Sequence, residues 1–280
     1  MGEKEFNELS LPVSERWENL TLANDFLFGK VMSDAELCTE MIKRILPDID
    51  IGRVEFTQSQ KSEKPSLDTR GVRFDVYAKS DNRKIFDCEV QTTDKKDLER
   101  RTRAYHIVLG LEELETETLK KSGSYKDLPD AFVIFVCTFD PFNSRRHIYT
   151  FRNVCQEDSE LKLNDGAFTI FLNARGKADD ISVELKAFLD FMLGKTSDDP
   201  FIKKLANRLK EAKGNAEWRR EYMLLLMREQ EKFSEGVAVG EERGLQRGRS
   251  ETLSAAIEFM RSIGMSSEQI NKFRASVLKS

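Results

Sequence analysis

Acidic side chains on two neighbouring strand patterns are spaced so that they could hold a cation. Gly71–Lys79 alternates, with Val72, Phe74, Val76 and Ala78 on one face and Arg73, Asp75 and Tyr77 on the other. Ser80-Asp81-Asn82-Arg83 has turn chemistry. Lys84–Gln91 then alternates again, placing Phe86, Cys88 and Val90 on a buried face and Asp87, Glu89 and Gln91 together on the opposite one. Two adjacent strands that aim carboxylates at one side of a sheet offer oxygen ligands, which suit Mg²⁺ or Mn²⁺ far better than Zn²⁺. The same pattern also fits a plainly solvated face. Against plain solvation, no Lys or Arg shares the Asp87/Glu89/Gln91 face of the second strand. Like charges two residues apart repel there, and a metal would relieve them.

The elements that must position these groups follow from periodicity. Asn24 is an expected N-cap, with Asp25 in the first turn of a helix carrying Phe26, Leu27, Val31 and Met32. Ala35–Leu46 is a second helix, stopped by Pro47, and Arg53–Gln60 is a strand followed by a hydrophilic loop with Pro65. After the two acidic strands, Lys95–Leu111 reads as a helix with Leu98, Arg101, Tyr105 and Leu109 on one stripe. Arg101 there either buries its stem as a packing residue or reaches, with Tyr105, the same site as Glu89. Arg100, Arg101 and Arg103 together could grip phosphate. Ala131–Thr138 is the most apolar strand, and the strand, helix, strand order predicts a right-handed crossover and parallel pairing. His147–Phe151 and Phe168–Leu172 extend the sheet, with His147 read as a structural residue, and Ile181–Leu193 is an amphipathic helix ended by Gly194.

Composition bounds the rest. The chain has 280 residues, 34% of them charged, and a formal net charge of −4. That argues against a bulk basic coat for nucleic acid, while leaving room for a local basic track. Four scattered cysteines (Cys38, Cys88, Cys137, Cys155) suggest reduced thiols and a cytoplasmic setting, and two distant histidines assemble no zinc site. No apolar run spans a bilayer and no apolar signal core is present, so no membrane partner is expected. Between Phe201 and Phe233, nine Lys/Arg against five Asp/Glu accompany Trp218, Tyr222, Leu226 and Met227 at helical spacing, either a packing stripe or a partner-facing surface. Gly236, Gly240, Gly244 and Gly248 follow, readable as a ridge along one helix face or as a flexible linker, before helices at Leu253–Ile263 and Ser267–Val277.

Asp75, with Glu89-Val90-Gln91 fourteen positions later, resembles the D…(D/E)xK arrangement of the PD-(D/E)XK nuclease superfamily. More narrowly, five ordered features resemble its recombination-promoting nuclease branch, also described as transposases, over roughly residues 20–250. They are ND-x-x-F around Asp25, the FDVY and FDCEVQ strands, R-x-x-x-Y at Arg101 and Tyr105, and the glycine-repeat tail. The resemblance implies an α/β, restriction-endonuclease-like core (α-β-β-β-α-β, a mixed sheet flanked by helices) with a helical C-terminal extension. It implies Asp75 and Glu89 as metal ligands with the Val90 carbonyl, Asp25 as an outer contributor, and Mg²⁺ (or Mn²⁺) dependent hydrolysis of DNA. Gln91 stands where the superfamily more often has Lys. It can hydrogen-bond the attacking water but cannot carry charge or take a proton. Arg101 is then the candidate for stabilising charge.

These readings give an N-terminal arm at 1–19, a nuclease-like domain at 20–195, a helical extension at 196–234 and a Gly-repeat segment with C-terminal helices at 235–280. The expected function is a metal-dependent DNA endonuclease associated with recombination or transposition, with a homo-oligomer formed through the C-terminal helical region. Two alternatives stand beside it. One is a catalytically silent DNA-binding or regulatory module on the same fold. The other is a scaffold assembled by its tail, with merely solvated acids.

Overall fold

A computed structural model describes residues 17–63, 72–116, 120–121 and 123–277. The N-terminal arm up to residue 16 and the loop around Pro65 lie outside the described residues. The chain divides into two units, 1–219 and 220–280.

The first unit is built on a six-stranded mixed sheet in the order β1-β2-β3-β4-β6-β5. Its strands are β1 (Val54–Glu63), β2 (Val72–Ser80), β3 (Lys84–Gln91), β4 (Asp130–Cys137), β5 (Ile148–Phe151) and β6 (Ala167–Asn173). β1, β2 and β3 pair antiparallel in sequence order, as the turn after Ser80 requires. β3 to β4 and β4 to β6 are parallel, with Gln91 opposite Cys137 and Cys137 opposite Asn173. The expected crossover is therefore present. It runs through α3 (Leu98–Leu114), which begins slightly later than the sequence pattern suggests.

Helices α1 (Asp25–Met32) and α2 (Ala35–Ile45) precede the sheet and start at real caps. Asn24 Oδ1 accepts from Leu27 N at 3.2 Å, and Asp34 Oδ1 accepts from Glu36 N and Leu37 N. α4 (Val183–Met192) and α5 (Pro200–Gly214) pack with them. Arg44 ties three of these helices together. Its guanidinium holds both oxygens of Asp199 at 3.0 and 3.1 Å, reaches the Glu184 carbonyl, and lies 4.5 Å from the Phe201 ring centre.

Side-chain alternation covers the sheet on both faces. Ile85, Val133, Phe135 and Phe171 join a cluster with Leu98, Tyr105, Val108 and Leu109 of α3. Phe86, Phe132 and Phe168 turn the other way and stack, with centroids 5.1 and 4.5 Å apart. Two expectations need correction as a result. The Asp87/Glu89 face of β3 is not solvated: Asp75, Asp87 and Glu89 are all buried, because α3 folds over them. Nor does β2 alternate cleanly. Phe74 and Tyr77 lie in the same cluster, 5.8 Å apart, with Phe74 beyond the Val76–Cys88 pair at which the ladder between β2 and β3 ends.

Cys38, Cys88 and Cys137 are free, buried thiols, as their strand and helix positions suggest, and Cys155 is half-buried. No helix among the described residues is long and apolar enough to cross a membrane. In the second part of the chain, α6 (Ala216–Ser262) runs unbroken through all four glycines and through Leu253, and α7 (Ser267–Val277) follows. The ridge reading of the glycines is the one realised, and nothing lies within 4 Å of where their Cβ atoms would be. The packing stripe expected before them is incomplete, since Met227 is exposed.

Candidate active site

The site forms where β2 and β3 separate. Past the Val76–Cys88 pair the two strands no longer exchange backbone bonds, and carboxylates take over the freed donors. Glu89 Oε1 accepts from Asp75 N at 2.8 Å, and Asp75 Oδ2 accepts from Val90 N at 3.0 Å. Each acid is thus fixed by the strand opposite its own.

Helix α3 brings the remaining groups from above. Arg101 and Tyr105 stand one turn apart and so share a face. The Tyr105 hydroxyl donates to Glu89 Oε2 at 2.7 Å and accepts from Arg101 Nη2 at 2.8 Å. Arg101 Nη1 donates to Gln91 Oε1 at 3.0 Å, and its Nη2 lies 3.6 Å from Glu89 Oε2. A guanidinium can only donate, so Gln91 must present its oxygen to Arg101 and keep its two N–H donors for another partner. Arg101 has no acid on its own stripe, as read from the sequence, but it does have one on β3. Its guanidinium also lies 5.7 Å from the Phe135 ring centre, so it packs and pairs at once.

Asp87 shares the Glu89 face of β3 but lies outside the ligand set that the family resemblance implies. It is wholly buried, and neither of its oxygens receives a hydrogen bond from the described residues. Its neighbour is the Glu89 carboxylate, so a bond between the two exists only when one of them holds a proton. Burial pushes the Asp75 and Asp87 carboxyls well above the ordinary carboxylate range, and the charge of Glu89 adds to this on both. Burial raises Glu89 as well, opposed by the Asp75 N–H, the Tyr105 hydroxyl and Arg101. The signal for Asp87 was present in the chain: a helix stripe led by Leu98, Tyr105 and Leu109 has to cover one face of the preceding strand.

Asp25 sits beside this network rather than inside it. One oxygen caps Phe26 N at 2.8 Å and the other pairs with Arg73 at 2.9 Å. Its charge still reaches Asp75, whose carboxyl it helps to raise. The structure therefore joins Asp75, Glu89, Gln91, Arg101 and Tyr105 through direct contacts, carries Val90 in by its backbone, and leaves Asp25 at the rim.

The donor set fits a small hard cation. Among the described residues no three His, Cys, Asp or Glu side chains form a metal-holding group. Mg²⁺ does not need one, because it keeps several waters and takes one or two carboxylates. Asp75 and Glu89 are such a pair, with free lone pairs left on both, and the Val90 carbonyl lies where the strands part. Ionising all three buried carboxyls against Arg101, with Arg73 further off, would leave the pocket short of positive charge, a deficit that a divalent cation would make up.

No curated protein and no solved structure matched the chain. A family model described as PD-(D/E)XK nuclease family transposase matched residues 22–222, a span holding the whole sheet, α1 to α5 and every residue of the network. With its α/β, restriction-endonuclease-like core and acids at the parting of two strands, the chain belongs to the PD-(D/E)XK nuclease family transposases.

Proposed function

We propose that the protein is an Mg²⁺-dependent (or Mn²⁺-dependent) DNA endonuclease acting in recombination or transposition. The observation that carries this is the buried Asp75–Glu89 pair, cross-braced by backbone donors and joined through Tyr105 to Arg101 and Gln91. Nuclease families of this kind generally use divalent metals. Asp75, Glu89 and the Val90 carbonyl would hold the cation, with Asp25 outside them. When bound, it supplies Lewis-acid polarisation of a phosphoryl oxygen and neutralises developing charge. The chain's own groups supply position. Tyr105 fixes the orientation of Glu89, and Gln91 Nε2 offers a hydrogen bond to the attacking water without accepting its proton. Arg101 turns donors toward a phosphate oxygen.

Supercoiled plasmid incubated with Mg²⁺ should be nicked, with EDTA abolishing the reaction. D75A and E89A should lose activity while keeping the far-UV circular dichroism of the wild type. Undiminished nicking by both would refute the assignment. One observation favours a silent module instead: Glu89 is already engaged by three protein groups, with Gln91 in place of Lys. A wild type that shifts DNA in a gel but never cleaves it would support that second reading. The long α6 helix, with exposed Phe233, Val237 and Leu245, supports assembly through the C-terminal region.

A further inference from the structure

The C-terminal edge of the sheet carries cations that the site above does not use. Gln91, Cys137 and Asn173 stand side by side at the ends of β3, β4 and β6. The edge continues through Thr138 N, which donates to the Gln91 carbonyl at 3.0 Å, and Ala174 N, which donates to the Cys137 carbonyl at 2.9 Å. Just past these ends lie Arg145, Arg175 and Lys177, all exposed. Among the described residues none of the three forms an ion pair. Of the acids nearby, Asp140 accepts from Arg145 N and from the Tyr149 hydroxyl, Asp180 is held by His147 and Arg146, and Asp179 is exposed.

These cations are held on an ordered frame. Arg145 has a φ of +60°, a left-handed conformation uncommon outside glycine, and Asp140 Oδ2 accepts from its N–H at 2.7 Å. Its carbonyl accepts from Lys177 N at 2.8 Å and Ala178 N at 3.1 Å, so the two loops are tied at the charged positions themselves. His147 locks the base. Its ring meets Asp180 Oδ1 at 2.9 Å, its carbonyl accepts from Asn173 N at 2.8 Å, and a Cβ on Gly176 would sit 2.5 Å from the ring. Arg175 is anchored by Nε to the Thr138 carbonyl at 2.7 Å, which leaves its two terminal nitrogens as donors.

We propose that Arg145, Arg175 and Lys177 form a track for the phosphate backbone of DNA, leading away from the Asp75–Glu89 site along the sheet edge. The idea rests on the nuclease reading for its choice of DNA. β6 is two strands from β3, or ~10 Å, which matches the rise of about three nucleotides. A chain of net charge −4 gains little from bulk attraction, so backbone contacts must be local and placed.

The test is anisotropy of a labelled duplex in EDTA, from about 50 to about 200 mM salt, where binding is read without cleavage. R145Q/R175Q/K177Q should flatten the slope of log K against log salt by about 2.7, three contacts at ~0.9 each. R145K/R175K, which keeps the charge, should restore most of the slope. K43Q/K204Q/K210Q, which removes equal charge from exposed helix positions, should leave it unchanged. Equal losses in the edge and control variants, an unchanged slope in the edge variant, or no binding by the wild type would each overturn the track. Plasmid nicking run in parallel separates the two readings. A wild type that fails to cleave yet loses slope with the edge variant sinks the nuclease reading alone, and one that cleaves with an indifferent edge sinks the track alone.

Discussion

Replacing Tyr105 by Phe removes one oxygen that touches both Glu89 and Arg101, and little else. The ring keeps its place, 5.7 Å from Phe74 and 5.7 Å from Phe135. A hydrogen bond to an ionised partner is worth about 1.5–3 kcal/mol. Glu89 is almost fully buried and would be left with the Asp75 N–H and a guanidinium 3.6 Å away. The expected loss is about 2 kcal/mol, lowering the melting temperature by roughly 4–8 °C for a unit of this size. Loss of a group that orients a metal ligand typically costs about 10- to 100-fold in metal affinity or activity. Y105F should therefore need about 10- to 100-fold more Mg²⁺ for half-maximal nicking, with much of its rate recovered at saturation. The hydroxyl also holds the Glu89 carboxyl down, so its removal should move the acid limb of the pH–rate profile to higher pH. Chemical denaturation and Mg²⁺-dependent nicking measure these effects separately. A Y105F protein with wild-type stability and wild-type Mg²⁺ dependence would refute the role given to this oxygen.

The raised carboxyls give the metal-free protein a definite pH dependence. Asp75 and Asp87 hold protons in the folded state at pH values where the unfolded chain has released them. Their contribution is complete below the unfolded value of about 3.9 and is lost as pH rises through the folded values, by up to ~1.4 kcal/mol per pH unit per group. Melting in EDTA from acid to alkaline pH should show this decline, D87N should flatten it, and the gain from Mg²⁺ should grow with pH. A decline that D87N leaves intact would count against Asp87 as a source. R101K keeps charge but loses the fork that spans Gln91 and Tyr105, and should lower nicking at least tenfold for a melting change of a few degrees; early melting with normal turnover per folded molecule would make Arg101 a packing residue. On α6, G240A and G244A should each stabilise the helix by about 1 kcal/mol. If that face joins two copies, G240L/G244L should convert an oligomer to monomer in light scattering, whereas an unchanged mass would remove the glycine face from any interface.

Much of this was legible in the chain because its patterns are local. The apolar run at Ala131–Cys137 could only be a strand buried on both faces, and its position after one helix implied parallel pairing with β3. Arg101 and Tyr105, one turn apart, were legible as a pair on one helix face, with Arg101 open between packing and reaching Glu89, and in the structure it does both. What stayed hidden depends on contacts distant in sequence. Asp87 looks solvated until α3 is laid over it, and the pairing of Asp25 with Arg73 beside the network joins residues forty-eight positions apart. Phe74 joins the cluster of Tyr77 beyond the end of the β2–β3 ladder, which strand alternation alone does not show. Arg145 and Lys177 are thirty-two residues apart in sequence and are tied by a backbone hydrogen bond beside the paired ends of β5 and β6. The glycines of α6 were balanced between ridge and linker because each costs a helix about 1 kcal/mol, a penalty that the flanking sequence can offset.

If Asp75 and Glu89 together hold one divalent cation, Mn²⁺ binding followed by electron paramagnetic resonance will register it, since free and bound ion are counted without any turnover. The wild type should bind one Mn²⁺ that Mg²⁺ displaces, and D75N and E89Q should each abolish that site while keeping the wild-type circular dichroism. Mn²⁺ bound equally well by both folded variants would contradict the claim.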